Sequence, residues 1–337
     1  MRAVVLVGGF GTRLRPLTLT TPKQMLPIGR LTMLERVIGH LGAHGVTEAV
    51  LSLGFRPDRF LAAFGDGVCA GVRLRYAEEP EPLDTAGAIA FAARDAGITE
   101  TFLAVNGDVL TDLDVTEFVR SHRRLGGMAT IALTPVEDPS RFGVVPTDDG
   151  GRVLGFIEKP PAGTAPTNWI NAGTYVLEPE VLDMIEVGAR SSLERDIFPR
   201  LAEDGRLFAV KSDAYWLDAG THAAYLDAHL DLVDGRRGEP EQMVAPSASI
   251  DASAVVRRSS VGAGATVGAG ARVEGSVVMG GASIGAGASV LDSIVAAGGV
   301  VGEGAELRHG AVLGFDEELA AGAVLDSATL PDPQSWS

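Results

Sequence analysis

The sequence predicts an α/β domain built on a mainly parallel sheet, followed by a parallel β-solenoid. Three observations predict it. Short apolar runs alternate with amphipathic stretches up to about Val233, and the first run ends in a glycine-rich turn at Gly8-Gly9. Beyond residue 246 the apolar residues recur every 17 positions. Alternation of strands with helices implies crossover units and a parallel sheet covered on both faces. A fixed period with glycine and alanine between the apolar positions implies stacked coils.

Taken in order, Val4-Val5-Leu6-Val7 reads as a buried strand. Met33 to Leu41 carries Leu34, Val37, Ile38 and Leu41 on one helical face. Strands at Val50–Leu53, Val72–Tyr76 and Phe102–Val105 are interleaved with helices at Asp58–Phe64, Thr85–Ala96 and Val115–Leu125. Ala129–Thr134, Val153–Glu158 and Asn171–Val176 are strands with fewer helices between them, which predicts an antiparallel insertion. The polar stretch 235–245, with Gly235, Gly238 and Pro240, reads as a linker between a first domain over 1–234 and a second over 246–337.

That second segment holds 16 Gly and 18 Ala and only two aromatics, a composition that by itself suits disorder. Periodicity argues otherwise. Ile250, Val267, Ile284 and Val301 form one series, and Val256, Val273, Val290 and Leu307 a second. Val261, Val278 and Val295 form a third, continued by Val312 or Leu313. Three inward positions per repeat, at steps of 6, 6 and 5, fit a triangular coil with one apolar residue on each flat side. Leu330 to Ser337 is expected to cover the solenoid end or fray.

Composition narrows the function. Over 337 residues, 28 Lys and Arg stand against 44 Asp and Glu, a formal net charge of −16. An acidic surface repels a polyphosphate backbone, which argues against general nucleic-acid binding but leaves small phosphates open. The single cysteine, Cys69, excludes an intrachain disulfide and fits a reducing compartment. No apolar run approaches the roughly 18 residues of a membrane helix. The expectation is a soluble, cytoplasmic protein. Cys69 and the pair His40 and His44 read as structural or surface residues.

Against that acidic background, the turn Gly8-Gly9-Phe10-Gly11-Thr12-Arg13-Leu14-Arg15 and the following Lys23 concentrate cations beside glycines. Glycines let backbone N–H groups approach phosphate oxygens at the carboxyl edge of a parallel sheet. The spacing is neither a dinucleotide fingerprint, since Leu14 stands where the third glycine belongs, nor a Walker A loop. A tight turn with solvated basic side chains is the plainer reading, and the cations favour phosphate binding over it.

Leu6 to Leu26 (LVGGFGTRLRPLTLTTPKQML) resembles the signature of sugar-1-phosphate nucleotidyltransferases. Further landmarks are similar to that family's in the same order: Asn106-Gly107-Asp108, Phe142-Gly143-Val144-Val145, Glu158-Lys159-Pro160, Asn171-Ala172-Gly173 and Trp216-Leu217-Asp218-Ala219-Gly220-Thr221. The resemblance implies a Rossmann-like mixed sheet followed by a left-handed parallel β-helix of hexapeptide-type repeats. It also implies a reaction in which a sugar-1-phosphate attacks the α-phosphorus of a nucleoside triphosphate and releases pyrophosphate.

The same resemblance assigns roles. Arg13, Lys23 and Lys159 become the catalytic cations, with Arg13 gripping the leaving pyrophosphate. Leu6, Gly8, Gly9, Gly11, Thr12, Arg13, Glu79, Thr85, Ala86, Gly87 and Asp108 become nucleotide contacts. Gly143, Glu158, Lys159 and Asn171 meet the sugar phosphate, and Asp108 and Asp218 hold Mg²⁺. Without the resemblance, Asp108 reads equally as an Asx-turn, Asp218 as a charge before a helix capped by Thr221, and Glu158-Lys159 as a solvated strand end.

Glu79-Pro80-Glu81-Pro82-Leu83-Asp84-Thr85-Ala86-Gly87 resembles the E-x-P-L-G-T-A-G stretch of mannose-1-phosphate guanylyltransferases, with Asp84 in place of glycine. Lys23-Gln24-Met25-Leu26-Pro27-Ile28 looks more like thymidylyltransferases. GTP is therefore expected, with dTTP and glucose-1-phosphate as the alternative. A non-catalytic nucleotide-sugar-binding regulator is a third reading, disfavoured because the full set of charged residues is retained. A solenoid acyltransferase is a fourth, disfavoured because the tail carries only His309. Open-ended coils predict a homo-oligomer, dimer or tetramer.

Overall fold

The computed structural model describes residues 1–54 and 57–336. Ser337, the last residue of the expected end cover, lies outside the described residues. The chain forms two compact units, one of Met1–Gly9 with Leu34–Trp216 and one of Phe10–Met33 with Leu217–Ser337.

The first unit is an α/β sheet. Its strands are β1 (Arg2–Leu6), β2 (Glu48–Leu53), β3 (Val72–Glu78), β4 (Phe102–Asn106), β5 (Ala129–Pro135), β6 (Gly143–Val144), β7 (Ile157–Glu158), β8 (Trp169–Leu177) and β9 (Leu207–Lys211). The order β7-β6-β8-β4-β1-β2-β3, extended past β3 by the two-residue strand Val68–Cys69, is parallel from β4 to β3 and antiparallel at β8 and at Val68–Cys69. β5 pairs antiparallel with β8 and parallel with β9. Thus the parallel half and the antiparallel insertion are both present. The order reverses beside β1, and that switch point puts Gly8 and Asp108 at one carboxyl edge, where folds of this class bind ligands.

Helices α1 (Met33–Ala43), α2 (Pro57–Ala63), α3 (Asp84–Asp95), α4 (Val115–Leu125) and α5 (Phe198–Glu203) accompany the strands. The boundaries of α4 follow from local chemistry. The Asp114 side chain accepts from the Glu117 N–H at 2.9 Å, and Gly126 ends the helix at φ 68°. The predicted strand Val153–Glu158 shrinks to Ile157–Glu158, with Val153 kept only as a bridge to Thr147. Gly155 sits in its middle with no side chain to pack, and Leu154 turns to solvent. β9 is a strand that the sequence pattern does not single out.

In the second unit, helix α6 (His222–Val233) starts at Thr221, whose side chain accepts from the Ala224 N–H at 3.2 Å. The Tyr225 hydroxyl and the His229 ring both bond to the Pro27 carbonyl, which fixes the short hairpin 27–32 on this helix. The tail is a three-sided parallel β-helix of three five-stranded sheets, consistent with the expected left-handed form, with one strand more per face than the four positions of each apolar series.

Its interior is Val261, Val278, Val295 and Leu313 on one side, so Leu313 rather than Val312 continues that series. The period lengthens by one residue there, because the corner after Glu306–Arg308 holds His309, Gly310 and Ala311 where earlier corners hold two residues. Buried Ser259, Ser276 and Ser293 form a ladder at one corner. The Ser276 N–H donates to Ser259 Oγ and the Ser293 N–H to Ser276 Oγ, each at 3.1 Å. Asp234, just before the predicted linker, accepts a forked pair of bonds from Arg258 in the first coil.

Candidate active site

At the carboxyl edge of the first unit, the backbone of Gly8 lies against Gly54 and Glu79. A Cβ on Gly8 would stand 3.3 Å from both the Glu79 Oε1 and the Gly54 nitrogen. Glu79 is held by Ser52 Oγ at 2.8 Å and by the Leu83 N–H at 3.1 Å. The structure therefore brings Leu6, paired with Ser52, together with Gly8 and Glu79, and Gly9 follows in the chain. Asp108 follows β4 at the same edge, half-buried, behind Gly107, whose N–H donates to the Leu6 carbonyl at 3.0 Å. A Cβ on Gly107 would stand 2.8 Å from that same oxygen.

Thr85, Ala86 and Gly87 open helix α3, and their polar groups are already engaged. The Ala86 and Gly87 N–H groups both donate to the Ser191 carbonyl. Thr85 Oγ1 donates to Glu194 Oε2 at 2.8 Å and accepts from the Leu193 N–H at 2.9 Å. Gly87 is required by packing, since a Cβ would meet the Ala189 carbonyl at 2.5 Å. These residues shape the turn and its distance from Glu79. Asp84, where the resembling family has glycine, sits at φ 61° and pairs with Arg195 and, at 3.9 Å, with Arg190. That left-handed backbone costs an L-residue about 1–2 kcal/mol.

A second cluster lies on the antiparallel part of the sheet. Gly143 pairs with Glu158, and a Cβ there would meet the Phe156 ring at 2.5 Å and Glu158 Oε2 at 3.1 Å. Lys159 is held at φ 46° with its N–H on the Phe142 carbonyl at 3.0 Å, and its Nζ pairs with Glu158 Oε1 at 3.1 Å. Strained backbone at a charged, exposed residue is the kind of feature that collects at ligand sites. Asn171 is on the adjoining β8. Its Oδ1 accepts from the Gly173 N–H at 3.0 Å and its Nδ2 donates to the Tyr175 hydroxyl at 2.8 Å, which fixes the amide's orientation. Gly143, Glu158, Lys159 and Asn171 thus form one neighbourhood.

The remaining expected residues belong to the second unit. Gly11 takes φ 62°, where a Cβ would lie 3.0 Å from Thr18 and 3.3 Å from Lys23, so the turn and Lys23 are packed together. Thr12 and Arg13 form the short turn Thr12–Leu14, anchored by buried Leu14. Arg13 Nη2 stands 3.8 Å from Asp218 Oδ2, with the arginine side chain 60% exposed and the aspartate 26%. Beside them Gly220 has no room for a side chain, since a Cβ would press to 2.8 Å on both Arg13 Nη2 and Asp218 Oδ1.

Sequence reasoning missed His222, which follows this glycine closely. Burial pushes its pKa down, so it enters the loop neutral, held by the backbone of Leu14 and Arg15. It also missed Glu194 and Tyr175. The run Ser191-Ser192-Leu193-Glu194 before buried Ile197 and Phe198 carries a helix-start pattern that could have drawn attention to Glu194. Among the described residues no group of three or more His, Cys, Asp or Glu side chains forms a ready metal cage. Cys69 is buried, with its thiol pushed up to about 12 mainly by that burial, and is chemically quiet.

The fold defines an α/β protein with its ligand edge beside β1 and an appended β-helix. Residues 2–235 match the family described as Nucleotidyl transferase, and residues 239–334 match the GMPPB C-terminal domain. The chain belongs to the nucleotidyl transferase family. The mannose-1-phosphate guanylyltransferase of Mycobacterium tuberculosis is 38% identical over 285 residues, which cover 82% of this chain and 79% of that one. The Oryza sativa subsp. japonica protein called "Probable mannose-1-phosphate guanylyltransferase 2" is 39% identical over 267 residues, covering 77% and 72%. The crystal structure of HddC from Yersinia pseudotuberculosis complexed with GMP-PN superposes with a TM-score of 0.59 at 30% identity, over 68% of this chain and 97% of that one. Among the described residues, no helix is long and apolar enough to cross a membrane.

Proposed function

We propose that the protein is a cytoplasmic guanylyltransferase that converts GTP and mannose-1-phosphate, or a related sugar or cyclitol phosphate, to a GDP-sugar and pyrophosphate. The observation that carries this reading is the placement of Glu79 against Gly8. It sets the segment resembling the guanylyltransferase stretch beside the glycine turn at the ligand edge. The names of the similar proteins point the same way.

The sugar phosphate oxygen attacks the α-phosphorus in line with the departing pyrophosphate, forming one P–O bond as the bond to the β-phosphate bridging oxygen breaks. The nucleophile is already an anion, so no protein base or covalent intermediate is needed. The residues act by positioning and charge. Arg13 and Lys23 stabilise the leaving pyrophosphate, Lys159 holds the sugar phosphate, and Glu158 and Asn171 orient sugar hydroxyls. The family's chemistry uses a divalent ion, here Mg²⁺, and Asp108 and Asp218 are the residues that would hold it. When bound, it neutralises phosphate charge. Glycine at 220 suits such a ligand set, since any Cβ there would press on the Asp218 carboxylate at 2.8 Å.

We assign catalysis to residues 1–234, the join to 235–245 and assembly to 246–337. GTP is expected to exceed dTTP in kcat/KM by roughly a hundredfold, because a pocket built for one base edge leaves its own groups unpaired with another. Rates with GTP, dTTP, UTP and ATP at saturating mannose-1-phosphate, repeated with glucose-1-phosphate, check this. A dTTP value above the GTP value with both sugars would favour the thymidylyl reading that Lys23-Gln24-Met25-Leu26 supports.

The β-helix is expected to make the protein a dimer or tetramer. Val300 and Val324 are exposed on its surface, which fits a buried contact between copies. Sedimentation of the full chain at micromolar concentration checks this, and a single monomeric species would exclude it.

A further inference from the structure

Glu194 sits in a five-residue π-turn, Leu193–Ile197, an uncommon element that is often found near functional sites. Its two carboxylate oxygens face different partners. Oε2 accepts from Thr85 Oγ1 at 2.8 Å and from Ser192 Oγ at 2.7 Å. Oε1 accepts from the Tyr175 hydroxyl at 3.4 Å, and that hydroxyl in turn accepts from Asn171 Nδ2 at 2.8 Å. Tyr175 is fully buried, and burial together with the Glu194 charge pushes its pKa well above the usual value. It therefore stays a donor throughout any working range of pH.

We propose that Glu194 is a positioning residue that sets the nucleotide and sugar half-sites from one carboxylate, through Thr85 on one side and through Tyr175 and Asn171 on the other. This rests on the expected place of Thr85 in the nucleotide segment and on the reading of Asn171 given under the proposed function. The geometry supplies the reason. Thr85 spends both hydroxyl bonds on the 193–194 backbone and side chain, so the turn that carries Ala86 and Gly87 can sit only where Glu194 lets it. Asn171 has its amide turned by Tyr175 and the Gly173 N–H, which leaves one Nδ2 hydrogen to offer a sugar hydroxyl in a fixed direction. Hydrogen bonds to a charged acceptor are stronger than neutral ones, so a carboxylate holds both partners better than an amide would.

The test compares four full-length proteins, native, Glu194→Gln, Tyr175→Phe and Thr85→Val, by initial rates over a grid of both substrates, with a thermal unfolding curve for each. Tyr175→Phe is expected to raise KM for the sugar phosphate about tenfold and KM for the nucleotide less than twofold. Thr85→Val is expected to do the reverse, and Glu194→Gln to raise both about tenfold. Should the glutamine variant fail to fold, Glu194→Asp, which keeps the charge but withdraws it by one methylene, is expected to show the same two-sided rise. Equal changes across the variants that merely follow their loss of Tm would overturn the proposal, as would unchanged KM values in the Glu194 variants. The substrates used are whichever triphosphate and sugar phosphate the native protein turns over fastest. A failed guanylyl assignment therefore changes the reagents and leaves the split readable, whereas a native protein that turns over none of them refutes both readings.

Discussion

Asp108→Asn and Asp218→Asn are each expected to lower kcat by at least about 10³-fold while leaving the unfolding curve within a degree or two. Asparagine keeps the shape and one acceptor oxygen but removes the charge that a divalent ion requires from so small a ligand set. Asparagine is nearly the same size and shape as aspartate, so neither change creates a cavity or an overlap. Chelation by EDTA should reproduce the loss in the native protein, and added Mg²⁺ should reverse it. Activity retained in either variant would remove that aspartate from the metal site.

Arg13→Ala is expected to cost roughly 10²–10³-fold in kcat, with a smaller rise in KM for the nucleotide, because leaving-group charge develops only in the transition state. Arg13→Lys is expected to recover only part of it, since an ammonium cannot grip two phosphate oxygens at once. The arginine is largely exposed and 3.8 Å from Asp218, so its removal takes little from folding. Gly220→Ala offers an independent check at the same place. A methyl 2.8 Å from both Arg13 and Asp218 should impair turnover without touching the helix that follows. Full activity in Arg13→Ala would exclude it from the chemistry.

Much of this was legible in the sequence, for physical reasons that differ by element. The strand β1 and helices α1 and α4 were readable because burial on one face writes a period into the chain, and because Asp114 and Gly126 mark the ends of α4 locally. The coil repeat was readable because every interior position demands the same kind of residue. The polar clasp was not. Thr85 and Glu194 are 109 residues apart, and neither has a periodic neighbour that announces the other. Likewise the expected nucleotide contacts Thr85, Ala86 and Gly87 have their own polar groups turned to Leu83-to-Ser191 packing and to Glu194, a partnership that composition cannot show. The extra residue at the fourth corner shifts the register of the last strands, and its sequence sign was only the ambiguity between Val312 and Leu313.

That corner also governs how such a tail can change length. In the earlier coils each buried serine accepts the N–H of the serine one coil onward, so removing a whole coil rejoins the same partners. Removing one residue would leave a buried N–H without an acceptor, at about 1–3 kcal/mol. After Ser293 the constraint ends. The corner His309-Gly310-Ala311 has no serine to align, and both His309 and Gly310 take left-handed backbone that lets the extra residue loop outward. Insertions are therefore tolerated where the ladder has stopped and penalised where it runs. In evolutionary terms the β-helix can lengthen by duplication in its early coils, and at this corner by single residues only past Ser293.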